Sequence, residues 1–293
     1  CVLMPNDLLR AVGNEFLAET ACLRGDWEAV LKALRVERVV AERGHLGERL
    51  AWVSACEGVI LHGQGKLAAA NTALEDAETR SHRIQQDRLL VLAGSWRVLV
   101  LADLGRAEEA ETLALDLVER AEASGELFQR AEALRALGTA YVRARRWEAA
   151  LEAGERMEAL LKNTELAMPR LGWNGLYAEA LLRSGNAAEA AERVDAYLDL
   201  AETTGSDSER GLALRLRAEV ALARSAFDPA EADLEKALEI HETLGSRLEW
   251  GRSAEVASRL AKINGDLAGA RSWIAQAQAG YRECGAPYET SAS

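Results

Sequence analysis

The sequence repeats itself every 40 residues, and that stride limits what the chain can fold into more than any other property it has. Positions spaced by 40 carry Gly25, Gly65, Gly105, Arg145, Gly185, Ser225 and Gly265. Two residues on, an apolar column reads Trp27, Leu67, Ala107, Trp147, Ala187, Phe227 and Leu267. Five residues on stand Val30, Ala70, Ala110, Ala150, Ala190, Ala230 and Ala270. Seven residues before the first column, nearly all positions are small: Ala18, Gly58, Val98, Gly138, Ala178, Ala218 and Ser258. A second punctuation column, His45, Gln85, Gly125, Glu165, Gly205, Gly245 and Gly285, falls halfway between successive marks of the first. Glycine there suits the left-handed residue that closes a helix. The unit is clearest over residues 134–157, LRALGTAYVRARRWEAALEAGERM, which reads as two amphipathic helices packed back to back. Gly138 and Ala150 let the backbones approach, Tyr141 and Trp147 fill the space beside them, and Arg145–Arg146 form the turn. Such a pair cannot bury its apolar face alone, so the units must stack.

Composition agrees with helix throughout. The 293 residues include only four prolines, and no stretch shows strand-type alternation. A formal charge of −12 argues against direct binding of nucleic acid, whose phosphates need a basic surface, and keeps an extended array soluble. The four cysteines, Cys1, Cys22, Cys56 and Cys284, make no CxxC. Cys22 and Cys56 stand six positions apart in the repeat frame, about 9 Å along a helix axis, too far for a disulfide. Reduced thiols and a cytoplasmic location are the expectation, and the absence of any N-x-S/T site agrees. No segment resembles a signal peptide. The most apolar run, Leu89–Ala102, contains Arg97 and is short of the ~20 residues a membrane span needs. The opening CVLMP, without an initiator methionine at position 1, suggests a piece of a larger protein.

Taken in order, Pro5-Asn6-Asp7 starts a helix with Asn6 or Asp7 as N-cap, and the first pair spans about 8–24 and 27–43. The repeats run over about 8–45, 47–85, 87–125, 126–165, 170–205, 207–245 and 247–285. Gly285-Ala286-Pro287 stops the last helix, and 288–293 form a frayed tail. No linker divides the array, so 1–287 is read as one continuous domain.

The small–aromatic–small columns resemble the tetratricopeptide repeat, best in Leu134, Leu137, Gly138, Tyr141 and Ala150, and again in Ala230, Leu234 and Ala237. The family's usual proline at the end of the second helix is missing. Its period is about 34, so each helix here is longer by about three residues, roughly 4.5 Å. The stretch 237–289 looks like a narrower group: the long-repeat arms of bacterial signalling ATPases, among them the transcription activator of the maltose regulon, and of repeat-bearing cyclases. That resemblance implies an arm C-terminal to a nucleotide-binding switch, one that binds an inducer or holds the protein inactive. The expected fold is an all-α, right-handed α-solenoid of about seven tetratricopeptide-like pairs, about 14 helices.

Catalytic signatures do not assemble. Gly63-Gln64-Gly65-Lys66 lacks the phosphate-loop spacing, because Ile60 stands where the first glycine belongs and Leu67 follows the lysine. His45, His62, His82 and His241 form no metal-binding pair, and no serine sits in G-x-S-x-G. The reading is a non-enzyme without metal or cofactor.

Binding is expected on the concave face. In the tetratricopeptide family that face is lined by positions two, five, nine and twelve of each first helix. Carried onto this frame, the N-terminal repeats give Trp52, Val59, His62, Leu92, Ser95 and Leu99, which are mostly apolar. The later repeats give Glu132, Arg135, Thr139, Glu179, Arg215, Glu219, Arg252, Glu255, Arg259 and Lys262. A ligand with one apolar and one ionic part would suit such a wall. Alternatively, Trp52 and Leu92 are buried between repeats and the charges are a solvated face. Gly172 and Gly175 also admit two readings. Either they leave a dent where an anion reaches Arg135 and Arg215, or the helix after Pro169 starts late, near Asn174, and both glycines are loop. Trp27 and Trp147 belong to the packing column; Trp173, Trp250 and Trp273 have no assigned place.

Three functions fit this sequence: the sensor arm of a larger bacterial regulator, a free-standing adaptor that clamps a peptide, and a helical accessory to a cyclase, kinase or protease domain outside the chain. The partner is accordingly a protein, a peptide or a small-molecule inducer, with no membrane and no nucleic acid. An uncapped terminal repeat would expose apolar surface and favour pairing into a homodimer.

Overall fold

The computed structural model describes residues 25–164 and 167–288. The first helix expected at 8–24, its caps Asn6 and Asp7, Cys1, Cys22 and the punctuation residue Glu165 lie outside them. Among the described residues the chain is all-helical, with thirteen helices and no strand. They are α1 (Trp27–Gly44), α2 (Gly47–Gly63), α3 (Leu67–Arg83), α4 (Asp87–Asp103), α5 (Ala107–Ser124), α6 (Leu127–Arg143) and α7 (Trp147–Leu161). After these come α8 (Ala167–Arg183), α9 (Ala187–Thr204), α10 (Asp207–Ala223), α11 (Phe227–Thr243), α12 (Arg247–Ile263) and α13 (Leu267–Cys284). Even-numbered helices are the first of each pair and odd-numbered ones the second.

The two punctuation columns are where the backbone turns. All seven residues of the first have positive φ, from 57° at Arg145 to 87° at Gly185. So do the six described residues of the second, His45 and Gln85 included. After most of these turn residues the next amide reaches back across the turn: Lys66 N donates to Leu61 O at 2.8 Å and Arg146 N to Tyr141 O at 2.9 Å, the pattern that satisfies the last carbonyls of a helix. Asp26, Asn186 and Asp266 then cap the second helices, each accepting the amide three residues on.

Packing follows the stride. Each first helix lies against its own second helix and against the first helix of the next pair, while each second helix leans on the following first helix. The alanine column is fully enclosed from Ala70 to Ala230. Gly138 serves a different neighbour from the one expected. A Cβ there would stand 2.8 Å from the Trp173 ring, so the small residue admits the next pair's aromatic side chain instead of Ala150. Trp173 is fully buried and stacks on Tyr177 with centroids 5.5 Å apart. Trp250 and Trp273 lie tilted together at 6.2 Å. Trp27 and Trp147 are packed in their columns, as expected.

The late start after Pro169 is corrected: α8 begins at Ala167 and carries Gly172 and Gly175 inside it. Proline in a first turn forfeits an N–H that has no intrahelical acceptor anyway, so it does not delay the helix.

A solenoid whose helices touch only their immediate neighbours would be an open trough. Here the array comes round on itself. The turns within pairs one to three meet the joints that precede and follow pair seven. Trp27 Nε1 donates to Leu244 O at 2.8 Å, across 217 residues. Cβ atoms at Gly25, Gly65 and Gly105 would run into Leu244, Cys284 and Pro287, at 2.4, 2.5 and 2.7 Å. One apolar cluster accordingly joins Leu67, Leu74 and Val100 to Leu248, Ala277, Tyr281 and Cys284. Tyr288 packs on Tyr281 with ring centroids 5.7 Å apart.

Candidate functional site

The first helices stand side by side, so residues that share a stripe on each of them share one wall. On α4 that stripe holds Leu92, Trp96, Leu99 and Asp103; on α6, Glu132, Arg135, Thr139 and Arg143. Ion pairs then run from helix to helix around the inside. His62 of α2 contacts Asp103 at 2.8 Å, Asp103 takes a bond from Arg143 at 3.1 Å, and Arg143 reaches Glu179 of α8 at 3.3 Å. On the far side Glu219 of α10 is gripped by three guanidiniums: Arg183 of α8, Arg215 at 2.7 Å, and Arg259 of α12 at 2.8 Å. Arg215 faces Glu249 at 3.7 Å, Glu249 pairs with Arg252, and Arg252 returns to Asp103. That last bond ties the final pair of helices to the third and links the two arcs of charge.

Burial sets the electrostatics of these groups. Burial alone would raise the Asp103 pKa, but Arg252, His62 and Arg143 outweigh it and hold the carboxyl well below the usual range. Glu219 behaves likewise under Arg259, Arg183 and Arg215. Glu249, buried against Arg252 and Arg215, falls to about 2. Below them His241 of α11 is enclosed against Gly211, and loss of solvent brings its imidazole down to about 4, so it is neutral near pH 7. The carboxylates of Asp103, Glu219 and Glu249 are therefore ionised across the physiological range.

Of the residues expected on the wall, Trp52, Val59, His62, Leu92 and Leu99 are half-buried on α2 and α4. Glu179, Glu219, Arg215 and Arg259 join the ring described above. Thr139 is buried and donates its hydroxyl to the Arg135 carbonyl at 2.9 Å. The two glycines do not share one dent. Above Gly172 the space is filled by Arg135, whose Cδ would lie 3.0 Å from an added Cβ; Gly175 faces the Tyr197 ring at 2.9 Å. Arg135 is itself paired with Glu132 at 2.7 Å, and its guanidinium lies 4.8 Å from the Trp96 ring centroid. Arg215 is buried beneath Glu219 and Glu249.

The expected division into an apolar N-terminal and a charged C-terminal half is also modified. Asp103 places a charged hub beside Leu99, and the winding brings α12 across to it. Sequence reasoning missed Trp96 and the column Asp103, Arg143 and Arg183. That column stands one residue beyond the last position carried over from the shorter repeat. Its 40-residue spacing and its charges were the signal that could have found it.

Among the described residues no group of three or more His, Cys, Asp or Glu side chains could hold a metal ion, and no helix is long and apolar enough to cross a membrane. Of the cysteines within them, Cys284 is a buried free thiol.

No family model matches the sequence, and no curated protein matches it. Solved structures do share its shape. A Rap protein complexed with competence and sporulation factor superposes with a TM-score of 0.76 at 12% identity, over 97% of this chain and 78% of that one. The Rap conjugation gene regulator of plasmid pLS20, in complex with the Phr* peptide, gives 0.76 at 13%, over 95% and 75%. Aspartyl phosphate phosphatase F from Bacillus subtilis gives 0.67 at 13%, over 97% and 74%. At these identities the likeness is one of fold, and the chain is a tetratricopeptide-like helical-repeat solenoid.

Proposed function

We propose that this chain is a non-catalytic binding arm that takes a peptide against its inner wall, as the regulatory arm of a larger bacterial signalling or transcription-regulating protein. The observation that carries this reading is the make-up of that wall. Half-buried Trp52, Val59, Leu92 and Leu99 stand on the stripes that also carry His62 and Asp103. Arg183 and Arg259 each place one nitrogen on Glu219, while their side chains stay 32% and 44% exposed, so further N–H donors face outward. Apolar side chains of a peptide suit the first set, and a carboxylate suits the second through charge-assisted bonds. The Phr* peptide stands in the complex of one protein of the same fold, which supports the class of ligand. The resemblance of 237–289 to regulator arms supports the larger setting.

A random short-peptide library, screened by affinity selection on the full chain, tests this. Enriched peptides are expected to combine apolar residues with a carboxylate. Leu99→Ala and Arg259→Ala should each weaken them about tenfold, the equivalent of ~1.4 kcal/mol. A library that enriches nothing over scrambled controls would overturn the reading.

A further inference from the structure

The internal closure uses only half of each edge of the solenoid. The turns of pairs one to three are covered by the joints around pair seven, whereas the turns of pairs six and seven have no such cover among the described residues. Phe227 occupies the column of Trp27, and Leu267 that of Leu67. Leu67 is fully buried, yet Leu267 is 57% exposed, Phe227 37%, and neighbouring Ile263 51%. A Cβ at Gly265 would meet nothing within 4 Å, where one at Gly65 would strike Cys284. The opposite edge is bare at the other end of the array. Ile84 holds the column of Leu244 and Cys284, the two residues that cap the turns at Gly25 and Gly65, and it too is exposed. Of the seven exposed large apolar residues among those described, four therefore lie in or beside the columns that mate inside the molecule.

We propose that these bare edges are two halves of one interface, and that the occupant of each is a second copy of this chain. The turn of pair seven in one molecule would sit beneath Ile84 of the next, as the turn of pair two sits beneath Cys284 within the molecule. The argument is continuity: the same columns, in the same left-handed turn, already form this contact once. The two surfaces differ, so the contact is heterologous and leaves a free edge at each end. Assembly is open-ended and does not stop at a closed dimer.

Sedimentation equilibrium on the full chain, from micromolar to millimolar protein, tests this. The weight-average mass should rise with concentration and pass the dimer value. Leu267→Asp and Ile84→Asp should each reduce the chain to a monomer, while circular dichroism shows unchanged helix content. An equimolar mixture of the two variants should form a one-to-one dimer and nothing larger, because each supplies the edge the other lacks. Leu267→Gln serves in the same test if the aspartate variant loses helix. A wild type that stays monomeric overturns the proposal, as does one that stops at a dimer. Two monomeric variants that fail to combine overturn it as well.

Discussion

The turn edge of this solenoid can be compared with itself. At pairs one to three and at pairs six and seven, the same columns make the same left-handed turn and start the same kind of helix. At one end Leu67 and Gly65 are interior and Trp27 is half-buried; at the other Phe227, Leu267 and Gly265 are surface. Nothing local separates the two sets. Winding alone decides which copies of a column become core, because each turn of the array rests on the repeat that arrives beneath it five pairs later. A repeat protein of this kind therefore has two levels of stability, one summed over neighbouring pairs and one set by whether the ends meet.

The strongest test of that second level is to cut the tie at Asp103. Its carboxyl is held by Arg252, Arg143 and His62, and its side chain is 4% exposed. Asp103→Asn leaves the half-buried guanidiniums of Arg143 and Arg252 short of a counter-charge at a buried site and should cost about 3 kcal/mol. Asp233→Asn is the control, since Asp233 pairs with Arg217 at 2.7 Å between adjacent helices. Hydrogen exchange separates the two levels. The Asp103 variant should lose protection in α3 and α13 together, the elements that meet only at the closure; the Asp233 variant should lose it only around α10 and α11. Acid should act in the same direction as the Asp103 variant. A carboxyl whose folded pKa is depressed contributes stability above its ordinary value, and that stability is lost as the pH falls through the lowered one.

Next in size is a pair of truncations in one column. Leu67→Ala removes a fully buried side chain from the cluster joining the ends and should cost about 3 kcal/mol in urea unfolding. Leu267→Ala, at the equivalent position on the bare edge, should fall within about 0.5 kcal/mol of the wild type. Equal costs would mean that the ends do not meet in solution.

The stride made most of the fold legible in the sequence. It placed the thirteen described helices and marked every positive-φ residue among them, because these follow from local backbone chemistry that each unit repeats. Periodicity carries no information about how much each pair rotates on the last, so the closure, and Arg252 meeting Asp103 across 149 residues, lay beyond it. The wall was legible in part. Glu219, Arg215, Arg259 and His62 were found by carrying positions from the shorter repeat. Asp103, Arg143 and Arg183 were not, because the longer helix adds an inward position that the shorter one lacks. The glycines of α8 misled for a related reason: each answers to one large neighbour, Arg135 or Tyr197, that no reading of α8 alone can supply.

The smallest expected effect sharpens the comparison by removing the cover from it altogether. Ser225 sits in the turn column on the bare edge, at φ 58°, and is exposed. A residue with a Cβ is strained in that region by about 1–2 kcal/mol, while glycine gives back roughly 0.5–1 kcal/mol through the entropy of the unfolded chain. Ser225→Gly should therefore stabilise the protein by about 0.5 kcal/mol. Gly265→Ser, with open space around its turn, should destabilise it by a similar amount. Gly65→Ser has the same backbone but must also displace Cys284, and should cost severalfold more. The difference between the last two, measured in one urea series, isolates the contribution of the covering repeat from that of the turn beneath it.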